Sequence, residues 1–179
     1  PAPSYPDPDP GAAIYPELDL RNPNLDAGLQ DMLRRDRRNP VLAAQAALVP
    51  VLRGQRGRWQ REFDRARAMA EPGSAELRYV LWSRGWAHFS LGEYPAALQH
   101  WQEAEALHGG RPEWVPATYA VVLWSMGQRE LGLEFFAVAA RDRPERWGSV
   151  AAVDATVAQW RPNEKLAAQS MASHLARSR

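Results

Sequence analysis

The side chains able to do chemistry in this sequence are few and badly spaced for it. There are four histidines, His88, His100, His108 and His174, and no cysteine. None of the histidines forms an HExxH pair or a close helical pair, and without thiolates a Cys/His zinc site is excluded. Glu103 and Glu105 stand two residues apart, which on a helix turns their carboxyls to different faces and denies them an acid–base partnership. There is no GxSxG elbow, phosphate loop or dinucleotide fingerprint. No metal or cofactor is therefore expected, and an enzyme is not the expectation.

What the sequence does concentrate is aromatic surface and arginine. Tyr79, Trp82, Trp86 and Phe89 fall at i, i+3, i+7 and i+10, so a helix would gather them on one face. Leu77, Leu81, Gly85 and His88 make a second stripe, the one suited to packing within a hairpin; there His88 is expected to be structural. Trp114, Val121 and Trp124 extend the aromatic pattern further along. Between Arg34 and Arg67 lie ten arginines against three carboxylates, a local balance of +7, whereas residues 1–33 sum to −5. Arg53, Arg56 and Arg58 are the candidates for meeting an acidic partner. Only Trp59 and Phe63 interleave with these arginines, at positions needed for packing, so nucleic acid is not expected.

The elements that position these residues are helices. With 179 residues, 45% hydrophobic and 24% charged, the chain suits one ordinary globular domain with a sizeable core. Its net charge of +1 sets up no global field. No apolar run reaches the roughly 18 residues of a membrane span; the longest, 41–52, is broken by Gln45 and Pro50. Residues 1–23 hold seven prolines among Asp7, Asp9, Glu17 and Asp19 and read as an extended leader. Tyr5, Ile14, Tyr15 and Leu18 are its candidates for docking on the body, which would then cover the aromatic face.

Helical spacing starts after Asn24 with Leu25, Leu29, Met32 and Leu33 and stops at 38–40, where Asn39 is placed to cap a helix begun by Pro40. Pro50 should kink or shorten that second helix. Gly57, Gly92 and Gly127 are 35 residues apart, each closing one helical pattern and opening another. A further step lands on Pro162, and a step back on Asn22, both at breaks.

Residues 78–111 resemble a tetratricopeptide repeat: Leu81, Gly85, Ala87 and His88, then the turn Leu91-Gly92-Glu93-Tyr94, then Ala97, Leu98, Trp101 and Ala104. Gly85 and Ala97 would let the two helices approach, with Trp101 filling space between hairpins. Residues 113–146 keep Tyr119, Ala120, Leu123, Gly127, Gly132, Leu133, Phe136, Ala139 and Pro144, with Arg129 in place of the turn aromatic. Residues 43–76 and 148–179 carry weaker versions.

The resemblance implies an all-α, TPR-like α-solenoid: about nine helices in antiparallel hairpins forming a short right-handed superhelix. Residues 24–179 would be one domain, with 24–38 as a capping helix. It also implies a concave groove in which Tyr79, Trp82, Trp86, Phe89, Trp114, Val121 and Trp124 hold a protein or peptide partner, rimmed by Arg53, Arg56 and Arg58. The expected role is an adaptor or assembly factor. The alternative is a self-associating envelope component whose aromatic face closes a homodimer. The chain begins at Pro1 rather than Met, and with its Pro-rich leader this leans toward a periplasmic or envelope-associated protein past a removed signal or anchor, with a cytoplasmic location as the alternative.

Overall fold

The computed structural model describes residues 2–13 and 15–178, and it is helical after the leader. Ten helices are present among the described residues: α1 (Leu25–Arg35), α2 (Pro40–Leu52), α3 (Trp59–Met69), α4 (Ala75–Ser90), α5 (Tyr94–His108), α6 (Val115–Ser125), α7 (Arg129–Asp142), α8 (Pro144–Trp147), α9 (Val150–Thr156) and α10 (Pro162–Arg177). The chain divides into two compact units with boundaries inside the leader and after α5. One runs from Asp9 to Gly110; the other holds the leader up to Pro8 together with Arg111 onward. Each of the two units takes a share of the segment read from the sequence as an extended leader.

Local chemistry sets the helix ends. Asn39 caps α2, its side chain accepting from the amides of Val41 and Leu42 at 3.0 and 3.1 Å. Ser74 caps α4 through the Leu77 amide at 3.1 Å. Pro50 falls in the last turn of α2, which ends at Leu52. At the far end of α4, the Gly92 amide reaches the Phe89 carbonyl and the Glu93 amide the His88 carbonyl, at 3.0 and 2.9 Å. After α6 the Gly127 and Gln128 amides repeat this on Trp124 and Leu123, again at 3.0 and 2.9 Å. Both are Schellman closures, and they need the positive φ that Gly92 (75°) and Gly127 (83°) adopt.

The third member of the 35-residue series is displaced. Gly57 does have a positive φ, but the glycine that closes α2 in the same bonding pattern is Gly54, with Gln55 bonded back to Pro50. The α2–α3 turn is therefore longer than the other two, and the sequence period falls on its second glycine.

In the unit from Asp9 to Gly110, α2 pairs with α3, α4 with α5, and both α2 and α3 lean on α4. Trp82, Trp86, Trp101, Phe63, Leu48 and Leu81 are fully buried there. Each such side chain contributes on the order of 2–3 kcal/mol through removal of apolar surface from water. At Gly85 the Trp101 side chain of α5 lies directly against α4: a β-carbon there would fall inside the Trp101 indole, whose Nε1–H donates to the Trp82 carbonyl at 3.0 Å. Trp101 therefore fills space inside its own hairpin rather than between hairpins. Leu18, Leu20, Leu25, Leu33 and Leu42 gather around Leu29, Ala46 and Val49, tying the end of the leader and α1 to α2.

In the other unit α6 pairs with α7, α8 and α9 follow, and α10 packs on α6, α7 and α9. Residues 115–123 are buried throughout α6. Phe136 of α7, Trp147 of α8 and Trp160 in the loop before α10 stack edge-on in sequence, at centroid separations of 6.0 and 5.8 Å.

Candidate functional site

The rings expected to line an open groove are buried. Trp82, Trp86 and Phe89 in one unit are 1–3% exposed, and Trp114 and Val121 in the other are 0–1% exposed. Tyr79 and Trp124 are half-buried. The expectation of a bare aromatic surface is corrected accordingly. The physical reason is that this face of α4 has three sources of cover. Trp101 of α5 meets Trp86 edge-on at 5.0 Å; α2 packs against α4, and burial pushes the Tyr79 pKa up against the pull of Gln45 on α2; and Tyr15 of the leader comes down on Trp86.

The leader is bound rather than free. Tyr15 sets its ring edge-on to Trp86 at 5.0 Å and 72°. Asp9 has a side chain with no exposed area, and its Oδ1 lies 3.0 Å from Nη2 of Arg78, itself 12% exposed, on the first turns of α4. The same oxygen accepts from Nε of Arg78 at 3.1 Å and from the Gly11 amide at 2.8 Å. Gly11 is buried against α4 so closely that a β-carbon would overlap the Ala75 carbonyl oxygen. Pro16 is buried as well. Of the residues expected to dock, Tyr15 and Leu18 do so in this unit and Tyr5 is held in the other through its amide; Ile14 lies outside the described residues.

In the other unit, residues 2–8 are held by main chain and by charge. The Asp7 amide donates to the Arg111 carbonyl at 3.0 Å, and the Glu113 amide donates to the Asp7 carbonyl at 2.8 Å, an isolated parallel bridge. The Arg111 amide reaches the Asp7 carboxylate at 2.7 Å. At the end of α7, Asp142 accepts from the Ser4 hydroxyl and the Tyr5 amide, both at 2.9 Å, and Arg141 donates to the Ala2 carbonyl at 2.8 Å. Burial works to raise the Asp142 pKa, but the Tyr5 amide, the Ser4 hydroxyl and Arg141 outweigh it and hold the carboxyl below its ordinary value.

The arginines separate into two kinds. Arg53 is not a rim residue: its guanidinium is half-buried, paired with Asp26 at 3.0 Å and donating to the carbonyls of Leu20 and Asn22 at 3.1 and 2.7 Å. Arg53 thus holds the end of the leader to α2. Arg56 and Arg58 are exposed and make no ion pair among the described residues. Arg65 pairs with Glu62, Arg67 with Glu103 and Arg84 with Asp64.

His88 is buried in the α4–α5 hairpin with Nδ1 3.1 Å from Glu93, Trp59 edge-on at 4.9 Å, and the His100 ring stacked on it at 5.0 Å. Burial lowers the His88 pKa against the pull of Glu93. Burial, followed by the charges of His88 and Arg84, takes His100 down to about 4. Both rings are neutral at pH 7 and stack as a core pair. Glu164, buried in the first turn of α10, has its pKa raised by burial. No group of three His, Cys, Asp or Glu among the described residues is placed to hold a metal ion, and no described helix is long and apolar enough to cross a membrane.

No protein-family model, no curated protein and no solved structure matches the chain. The Asp9–Arg78 pair, the Asp7 bridge and the Asp142 contacts were invisible to sequence reasoning, because they join residues far apart with no periodic signal. The one hint was compositional: an acidic leader ahead of an arginine-rich body.

Proposed function

We propose that the chain is a non-enzymatic protein-interaction module, an adaptor or assembly factor built from tetratricopeptide-like hairpins, that holds an extended acidic peptide segment. Support for the repeat reading comes from the two Schellman closures 35 residues apart and from α2 and α3 both leaning on α4, as successive repeats do. The observation that carries the binding reading is the seated leader. A leader segment that opens with a turn at Asp9 lies on α4 through one buried ion pair, one glycine contact and one ring contact, the means by which a helical face takes up a peptide. Arg56 and Arg58 add exposed positive charge without a partner of its own sign-complement among the described residues.

The test is an array of extended acidic peptides probed with the intact chain and with an Arg56→Glu/Arg58→Glu variant. Salt-sensitive capture, weakened about tenfold or more in the variant, is the expected result. Failure to capture any peptide, together with a dimeric mass by light scattering, would replace this reading by self-association.

A further inference from the structure

We propose that the Arg78–Trp86 face of α4 is a receptor site for an Asp-Pro-Gly peptide followed by an aromatic-Pro pair. The chain's own Asp9, Gly11, Tyr15 and Pro16 occupy it, and the same segment supplied in trans can take its place. The inference deepens the interaction-module reading and rests on it.

Three features distinguish this contact from plain cover. A segment that merely shields apolar rings has no use for a buried carboxylate, and burying one is costly unless a partner is built for it. Here the partner is Arg78, nearly as buried as Asp9 itself and bound to it through both Nε and Nη2. The second feature is side-chain selectivity at the next position but one. Gly11 lies against the Ala75 carbonyl where any β-carbon would collide, so the seat accepts glycine and rejects every larger residue. The third is an aromatic anchor, Tyr15, that meets Trp86 at its edge.

The segment's own backbone bonds are local. The Gly11 amide goes to the Asp9 carboxylate and the Ala12 amide to the Asp9 carbonyl, at 2.8 and 3.2 Å. Asp9 therefore shapes the turn as well as supplying the charge, and the segment brings its binding shape with it. Recognition runs through a charge and a glycine held in one turn and a ring a few residues further along the segment. That is the signature of a peptide ligand whose identity is checked at each contact. When the segment leaves, Arg78 is left without this carboxylate, and a second peptide with Asp in the same register restores the pair.

The experiment uses the full chain and a fluorescein-labelled peptide spanning residues 9–18, followed by fluorescence anisotropy. Four chains are compared: wild type, Asp9→Ala, Asp9→Asn, and Asp9→Ala/Arg78→Ala, with helicity checked by circular dichroism. The expected result is that the peptide binds a helical Asp9 single variant at least tenfold more tightly than wild type. Binding should fall back in the double variant, and for a peptide carrying Asp9→Ala or Gly11→Ala. Equal binding, or none, across all chains would overturn the proposal. Loss of fold in both single variants would also overturn it, since a seat that cannot be vacated receives nothing. Either failure leaves the acidic-peptide reading to be judged separately at Arg56 and Arg58, which lie outside this seat.

Discussion

The hairpins α4–α5 and α6–α7 share a backbone and differ in nearly everything laid on it. Both close their first helix with the same pair of bonds at the same lengths around a glycine in the left-handed region. Five residues separate Phe89 from Tyr94, whose rings meet at 5.0 Å, and five separate Trp124 from Arg129, whose guanidinium lies 4.7 Å over the indole. A step of 35 carries one pair onto the other. The cation takes the place of the ring because both offer a flat partner to an aromatic face. The interiors then diverge. α4–α5 is packed with tryptophans and a histidine pair, whereas α6 buries small and β-branched residues on every side. The punctuation of the repeat is thus conserved between the hairpins while its filling is free to change.

The largest test of that difference is at the two interior glycines. In α4–α5 a β-carbon at Gly85 overlaps the Trp101 indole, a large side chain locked in the core. In α6–α7 the β-carbon at Gly132 meets backbone atoms of Trp124 and Ala120 at 3.0–3.4 Å, tight but not overlapping. Overpacking of a closed core costs roughly 1–3 kcal/mol, and alanine recovers up to about 1 kcal/mol of helix propensity. Gly85→Ala is expected to lose about 3 kcal/mol in urea denaturation, because expelling Trp101 also breaks its bond to the Trp82 carbonyl. Gly132→Ala is expected to lose about 1 kcal/mol or less. Equal losses would mean that the hairpins are packed alike after all.

Acid should separate the hairpins next. The His88–His100 stack faces Arg84 and Glu93 within its own hairpin, Glu103 on α5, and Arg67 and Trp59 from α3. Helices α6 and α7 contain no histidine. Both folded-state pKa values lie below the ordinary 6.5, His100 at about 4. Between those limits the unfolded chain binds more protons than the folded one, so stability is full above about pH 6.5 and falls as the pH drops toward 4. His88 is buried but His100 only half-buried, and solvent screening at His100 reduces the expected loss to about 1–2 kcal/mol. Hydrogen exchange at pH 7 and pH 5 should show amides of α4 and α5 losing protection while those of α6 and α7 hold. His88→Gln/His100→Gln should flatten the difference.

These contrasts mark how far the sequence was readable. Helix ends were legible wherever a local rule fixes them: Asn39 before Pro40, Gly92 and Gly127 at their turns, Pro162 opening α10. The close approach at Gly85 was legible too, since a glycine amid large residues on a helix signals a neighbour. The period misled at Gly57 because a longer turn carries two glycines and counting selects the second. The aromatic face misled for a different reason. Spacing along a helix reveals that rings share a side, but not whether a leader with no period of its own will cover them. Arg53 belongs to the same class of error, its partners Leu20, Asn22 and Asp26 all lying in a stretch read as free or merely capping.

The shared punctuation makes the opposite prediction, of likeness. Gly92→Ala and Gly127→Ala each force a β-carbon into a left-handed conformation with open space around it, so the cost is backbone strain alone. Each should lose about 1 kcal/mol by urea denaturation, equal within error. A twofold disparity would show that the two closures, identical in bonding, are not equivalent in energy.

The smallest effect probes the exchange of cation for ring. Arg129 is exposed and Trp124 half-buried, so the stacking is worth about 0.5 kcal/mol and Arg129→Ala should lose about that much. If the register from Phe89–Tyr94 carries over, Arg129→Tyr places a ring over Trp124 in the geometry the other hairpin already uses. It should then be neutral or stabilising by a few tenths of a kcal/mol. Urea titrations followed by far-ultraviolet circular dichroism for wild type, Arg129→Ala and Arg129→Tyr decide the point. Should tyrosine prove worse than alanine, the position tolerates only a long flexible cation reaching over the indole from solvent. The two turns would then be alike in backbone alone.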